Sequence, residues 1–240
     1  MLGVDVGLIG GTGIGDRLAA LGGKAMHVPT PHGTARGTLV EVGGARAFVV
    51  RRHSFGHRTP PHHVPYLAMA DALRRLGAKA CFSTAAVGSL HADWGVGTMA
   101  VCTDMLDLSG RNLTMFDRTV RHTDFSDPFP AHRHLLSALG ADAKLPCVYA
   151  CTDGPRYETP YEVERLQKMG ADVVGMTAAT EAVAMHEAGV PYGCLAVVTN
   201  LAAGLTKSAL THDEVGEAMT KLGERAVEAL VSAVEVALRG

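Results

Sequence analysis

Apolar and polar positions along the chain fall into two alternating patterns. Eight short runs rich in β-branched and aromatic residues read as strands: 4–10, 37–42, 45–52, 79–86, 98–106, 147–152, 172–176 and 192–199. Several, such as VDVGLIG and YGCLAVVT, are apolar at nearly every position rather than every second one. That is the pattern of a strand covered on both faces. Between them lie segments with helical spacing: PYLAMADALRRLG, PYEVERLQKMG, TEAVAMHEAG and the long HDEVGEAMTKLGERAVEALVSAVEVAL near the C-terminus. The alternation predicts a layered α/β fold, and without a Pro/Gly/Ser-rich linker or internal repeat we expect one domain over 1–240.

Two helix starts are written in the sequence. Thr159-Pro160-Tyr161-Glu162 supplies an N-cap threonine, a proline at the first helical position and a glutamate at capping-box spacing. Thr211-His212-Asp213-Glu214 repeats the threonine–glutamate pair. Glu158 and His212 are thereby placed at helix N-termini near strand ends, where open α/β sheets bind ligands.

Composition narrows the class. Apolar residues make up 47% of the 240 positions and charged ones 19%, and the net charge is −2. This balance carries no footprint of nucleic-acid or anionic-membrane binding. No apolar run approaches the roughly 20 residues of a membrane span, and MLGVDVGLIGG lacks the basic start of a signal peptide. A cytoplasmic protein is expected. The five cysteines, Cys81, Cys102, Cys147, Cys151 and Cys194, sit in apolar runs without redox or metal spacing and read as buried thiols.

Six short constellations carry candidate chemistry. Gly10-Gly11-Thr12-Gly13 follows the first strand; such a turn can offer backbone N–H groups and a hydroxyl to a phosphate, or simply turn the chain. Arg52-His53, with His57 and the segment from Pro61 to Tyr66, suits an oxyanion better than zinc, because Arg52 is a poor neighbour for a divalent cation. The others are Ser83-Thr84-Ala85-Ala86-Val87-Gly88-Ser89, Thr152-Asp153-Gly154-Pro155-Arg156-Tyr157-Glu158-Thr159, Gly175-Met176-Thr177 and Thr199-Asn200-Leu201-Ala202-Ala203-Gly204.

In this order, over roughly residues 7–215, the six motifs resemble the trimeric purine nucleoside phosphorylase and methylthioadenosine phosphorylase family. YACTDGPRYET and VERLQKMGADVVGMT are similar to both the 6-oxopurine nucleoside phosphorylases and the methylthioinosine phosphorylases. The resemblance implies a three-layer α/β/α fold around a central mixed sheet. It implies inorganic phosphate as co-substrate, no metal or organic cofactor, and a homotrimer or a dimer of trimers. Thr12, Arg52, His53, Thr177 and the backbone of Ala86 would bind phosphate, with His57 and Tyr66 beside the phosphate and sugar. Met176 would lie under the ribose, and Val87, Gly88, Tyr157 and Gly175 would line the base. His122 and Phe125, in the 115–130 loop, would complete a neighbouring subunit's site over the 5′ end of the nucleoside. Ala85 departs from the Thr or Asn usual in the family and removes one polar contact to phosphate or sugar. Thr180-Glu181 departs from the family's Pro-Glu.

The family's adenine-specific branch uses an aspartate where this chain has Asn200, and a second where it has Ala202. An asparagine amide can donate to the O6/N7 edge of a 6-oxopurine, and Glu158 can accept its N1–H. Asn200, His53 and Glu158 are the expected catalytic residues. A histidine at position 212 suits a 5′-hydroxyl better than a thioether. We therefore expect phosphorolysis of inosine or guanosine first and of methylthioinosine second. Methylthioadenosine phosphorolysis and a non-catalytic nucleoside-binding paralogue are the remaining alternatives.

Overall fold

The computed structural model describes residues 3–140, 144–206 and 212–239, the side chains of Lys144, Leu145, His212 and Asp213 excepted. Nine strands occur in this region: β1 (Val6–Gly10), β2 (Lys24–Thr30), β3 (Gly33–Val42), β4 (Ala45–Arg51), β5 (Ala80–Ser89), β6 (Met99–Asp107), β7 (Lys144–Cys151), β8 (Val173–Gly175) and β9 (Tyr192–Leu201). Six helices accompany them: α1 (Gly15–Ala19), α2 (Tyr66–Leu76), α3 (His132–Leu139), α4 (Pro160–Lys168), α5 (Ala178–Ala188) and α6 (His212–Arg239). The strands join in one mixed sheet, in the order β2-β3-β4-β1-β5-β8-β7-β6-β9. The sheet also closes on itself. β9 pairs in parallel with β5 from Cys81↔Tyr192 onward, so β5, β8, β7, β6 and β9 form a ring.

Strand alternation divides the core between the two faces. Ile9, Phe48, Val50, Cys81, Ala85, Val87, Tyr192, Cys194 and Val198 share one cluster with residues of α2 and α5. Their neighbours in sequence, Leu8, Ala47, Val49, Phe82, Leu195 and Val197, pack with α1, α3 and α6. All five residues of β1 are buried, as a strand covered on both sides requires. This is the expected α/β/α layering, with a third, smaller cluster tying α4 to β7 and β8 through Val163, Leu166, Ala150 and Val174.

The expected strands lie within a few residues of the observed ones. β2 was not expected: its largely exposed pattern and Pro29 mark an edge strand, which buries too little to show a core signature. The short helices α1 and α3 likewise went unread. All five cysteines are buried and none is in a disulfide. No helix of the described residues is long and apolar enough to cross a membrane.

The Thr159 capping box forms as its sequence demands. Its hydroxyl accepts the Glu162 N–H at 3.2 Å, and the Glu162 carboxylate accepts the Thr159 N–H at 2.7 Å. The second capping pair begins at Thr211, outside the described residues. Hydrogen bonds from Arg156 and then from the Thr159 N–H hold the Glu162 carboxyl down at about 2. Replacing Thr159 with alanine should cost about 1 kcal/mol in a urea unfolding titration. Glu162→Gln should also lose stability at neutral pH. Because the native carboxyl is depressed, its contribution is present above its ordinary value of 4.5 and disappears as pH falls through about 2. A penalty that does not shrink in acid would contradict this assignment.

Candidate active site

A cavity of about 400 Å³ opens where β1, β4, β5 and β9 end, within the usual size range of small-ligand sites. Thr12, Arg52, His53, Ala86 and Thr177 meet on one part of its wall. Val87, Gly88, Tyr157, Glu158, Gly175, Met176 and Asn200 form another, and His57 also lines it. Residues nearly two hundred positions apart in sequence thus face one space.

Arg52 departs most from expectation. It falls at the end of the strand expected over 45–52, yet lies just beyond β4 and is only 2% exposed. The cause is register: continuing the alternation of Phe48 and Val50 places Arg52 on the face covered by α5. There the guanidinium forms a two-pronged ion pair with Glu181, Nε donating to Oε1 and Nη2 to Oε2, the latter at 2.7 Å. Nη1 donates to the Thr84 carbonyl at 2.9 Å. Burial opposes the charge on Arg52, and the Glu181 carboxylate more than restores it. Glu181 also accepts from the Tyr192 hydroxyl, which bonds Ser83 at 2.6 Å.

The glycine turn is built onto this arginine. A Cβ at Gly11 would stand 2.6 Å from Arg52 Nη1 and 2.8 Å from the Thr84 carbonyl oxygen, so only glycine fits. The turn is held by Gly11 N–H donating to Thr84 Oγ1 at 3.3 Å and by Arg52 N–H donating to the Gly10 carbonyl at 3.1 Å. His53 donates from Nδ1 to the Thr59 carbonyl at 2.8 Å, so Nε2 can donate to an oxyanion only when the ring carries its second proton.

Thr177 is the N-cap of α5, yet its side chain makes no capping bond. The Tyr149 hydroxyl accepts the Thr177 and Ala178 N–H groups instead, at 3.2 and 3.4 Å. Thr177 lines the cavity at a helix end that favours negative charge. A Cβ at Gly175 would stand 2.2 Å from that same tyrosine oxygen.

The other end of the cavity is shaped by a bulge. The β5–β9 register slips between Val87↔Val198 and Gly88↔Asn200, leaving Thr199 as the extra residue. Thr199 Oγ1 donates to Asn200 Oδ1 at 3.0 Å, and Asn200 Nδ2 donates to the Leu201 carbonyl at 3.1 Å. These bonds fix the amide orientation with one N–H to spare. Glu158, 9% exposed, accepts from Thr152 Oγ1 at 2.7 Å.

Other expected residues are placed differently. Tyr66 does not line the cavity: it is buried and donates to the Pro61 carbonyl at 2.8 Å. Ala85 is buried in the α2–α5 core and does not line the cavity, whereas its neighbours Ala86 and Val87 do. His122 is exposed, and Phe125 packs edge-on against His186 with ring centroids 4.8 Å apart; neither lines this chain's own cavity. The His212 side chain lies outside the described residues.

Several residues escaped the sequence reading. Val215 of α6 and the Arg58–Pro60 stretch line the cavity. Arg111 binds the backbone of both neighbouring loops, donating to the carbonyls of Met176 at 2.8 Å and Asp153 at 2.7 Å. It also donates to Thr180 Oγ1 at 2.9 Å, the residue that stands in place of the family's proline. Glu181 carried a legible signal, being the one acid in the apolar stretch from Ala178 to Met185.

No group of three or more potential metal-binding side chains occurs among the described residues. The fold and the wall of oxyanion donors match a class of enzymes. The sequence profile of the phosphorylase superfamily matches residues 5–235, and the chain belongs to that family. A "Probable S-methyl-5′-thioinosine phosphorylase" of Methanopyrus kandleri is 38% identical, covering 96% of this chain and 92% of its own. The 6-oxopurine nucleoside phosphorylase of Pyrococcus furiosus is 34% identical, covering 95% and 91%. Among solved structures, the methylthioadenosine phosphorylase of Schistosoma mansoni with adenine superimposes with a TM-score of 0.91 at 28% identity, covering 99% of this chain and 92% of that one.

Because Arg52 is buried against Glu181, Arg52→Ala should not leave stability untouched. Removing one partner of such a pair should cost about 3–5 kcal/mol, read as an earlier denaturant midpoint. A midpoint equal to wild type would refute the buried-pair description.

Proposed function

We propose that this protein cleaves 6-oxopurine nucleosides with inorganic phosphate, releasing the free base and ribose 1-phosphate in purine salvage in the cytoplasm. The observation that carries this reading is the pairing of a fixed Asn200 amide with the Glu158 carboxylate in the cavity that Arg52, His53 and Thr177 also line. Phosphate, held by Thr12, Arg52, His53, Thr177 and the Ala86 backbone, attacks C1′ on the face opposite the base. As the glycosidic bond breaks, its electron pair leaves with the purine. The spare Asn200 N–H stabilises charge gathering at the O6/N7 edge, while Glu158 accepts the N1–H. Met176 supports the ribose, with Val87, Gly88, Tyr157 and Gly175 around the base. No protein nucleophile is required, since phosphate itself forms the new bond.

A second reading, methylthioinosine as substrate, is favoured by one feature: Val215 brings an apolar side chain to the cavity wall. A thioether is better matched by such a surface than a hydroxyl. His212 argues for the hydroxyl, and we place inosine and guanosine first.

Base release from inosine should require phosphate, and release without it would indicate a hydrolase. Asn200→Asp should lower kcat/KM on inosine by roughly ten- to a hundredfold while improving the relative use of adenosine, from about 1–3 kcal/mol per mismatched buried hydrogen bond. A wild-type preference for adenosine or methylthioadenosine would overturn the base assignment. Comparing inosine with methylthioinosine in wild type and His212→Met ranks the two 5′ groups. If methylthioinosine is strongly preferred and the mutation changes nothing, our order is wrong.

We also propose a ring of three subunits in which the 115–130 loop, through His122 and Phe125, closes a neighbour's site. The exposure of His122 on its own chain supports this. Light scattering should give a trimer or a pair of trimers; a fully active monomer would rule out the shared site.

A further inference from the structure

The Arg52–Glu181 pair raises a question of charge. An arginine in an oxyanion site normally offers both N–H donors and a positive charge. Here three of its five N–H groups are committed, and its charge is matched by a buried carboxylate. Arg52 therefore still offers directed donors, but little net attraction for a phosphate carrying more than one negative charge.

The remaining ionisable groups do not make up the difference. Glu158 contributes a negative charge to the cavity wall. Glu214 lies close enough that, after burial and Glu158, it helps to raise the Tyr157 phenol. His53 commits its Nδ1 proton to the Thr59 carbonyl, so it can donate to phosphate only as an imidazolium. His57 stacks beside it, with ring centroids 4.4 Å apart. With Arg52 and Glu181 cancelling, the arginines, lysines and carboxylates described on the wall, Arg58 apart, supply no net positive charge to draw in the proposed co-substrate.

Among the described residues, one further arginine lines the cavity. Arg58 is exposed, and neither a hydrogen bond nor an ion pair engages it among the described residues. The segment that presents it is closed on itself. Thr59 N–H donates to the His53 carbonyl at 3.0 Å, and the Ser54 and Thr59 hydroxyls bond at 2.7 Å. Within it Ser54 and His57 hold φ values of 62° and 54°, a left-handed conformation that non-glycine residues adopt at some cost. The chain thus accepts local strain in a short, clamped loop whose outer member is an unpaired guanidinium at the cavity wall.

We propose that Arg58 is a phosphate-binding residue, supplying the positive charge that Arg52 has given up to Glu181. This inference rests on phosphate being the co-substrate. Arg52, His53 and Thr177 would set the direction of the bound anion, and Arg58 would set how strongly it is drawn in. As an exposed charge its pull is screened by salt, which separates it experimentally from the buried donors.

The test is to compare wild type with Arg58→Ala and Arg58→Lys, using inorganic phosphate as the probe. Calorimetric titration with phosphate alone and the phosphate KM in turnover should both weaken roughly tenfold or more in Arg58→Ala, the loss of one charge-assisted contact. Lysine should recover part of the loss, and the nucleoside KM and melting temperature should stay at wild-type values. Added sodium chloride should weaken phosphate binding in wild type and much less in Arg58→Ala. Phosphate affinity unchanged in a folded Arg58→Ala protein, or an unchanged salt dependence, would overturn the proposal. Should wild type turn over no nucleoside, the phosphorolysis reading fails, while the calorimetric comparison still decides the role of Arg58.

Discussion

A single buried ion pair sets the geometry of this molecule. Arg52 leaves β4 on the face that α5 covers, and its charge has to be met there by Glu181. Such a pair contributes little net stability, because desolvating two charges offsets most of their attraction. What it does supply is position. The fork of two parallel hydrogen bonds fixes α5 against the end of β4, and with it Met176 and Thr177 at the helix start. The third guanidinium bond reaches the Thr84 carbonyl and brings β5 into the same arrangement. Gly11 is confined to glycine by the same atoms.

A similar economy operates on the outer side of α5. Arg111 joins the Asp153 and Met176 carbonyls to Thr180, so the loop preceding Tyr157 and the loop carrying Met176 share one anchor. That arginine belongs to the segment after β6, which also holds α5 through Thr114 and Glu187 at 2.8 Å. The threonine that replaces the family's proline at position 180 thus has a use: it supplies a hydroxyl acceptor that proline lacks.

Much of this was legible in the chain. Continuous apolar runs gave the buried strands, and the Thr159 box forms as written. The residues quoted for phosphate and base share one cavity, because motifs at strand ends converge wherever strands lie side by side. What escaped was information that depends on pairing. β2 buries little and carries no core pattern. Arg52 looked like a strand-end residue until its parity with Phe48 and Val50 was combined with the position of α5. Ala85 lies in the core between α2 and α5, so the family's missing polar side chain is here a buried methyl group. Tyr66 is drawn away from the cavity by a carbonyl five residues earlier, a local bond that no motif records. Glu181 could have been found, since an acid in an otherwise apolar helix face implies a buried cation.

The closure of the sheet has a consequence for the order in which the molecule assembles. β5 and β9 are joined in parallel although Cys81 and Tyr192 are more than a hundred residues apart. Pairings of that span are slow, because loop entropy is lost before any contact rewards it. The bulge that orients Asn200 exists only within this pairing. A chain that has formed its N-terminal strands, its glycine turn and its Arg52 side chain still lacks the wall that Gly88 and Asn200 form. That end of the cavity therefore exists only once the ring has closed, and a half-folded chain carries an incomplete cavity.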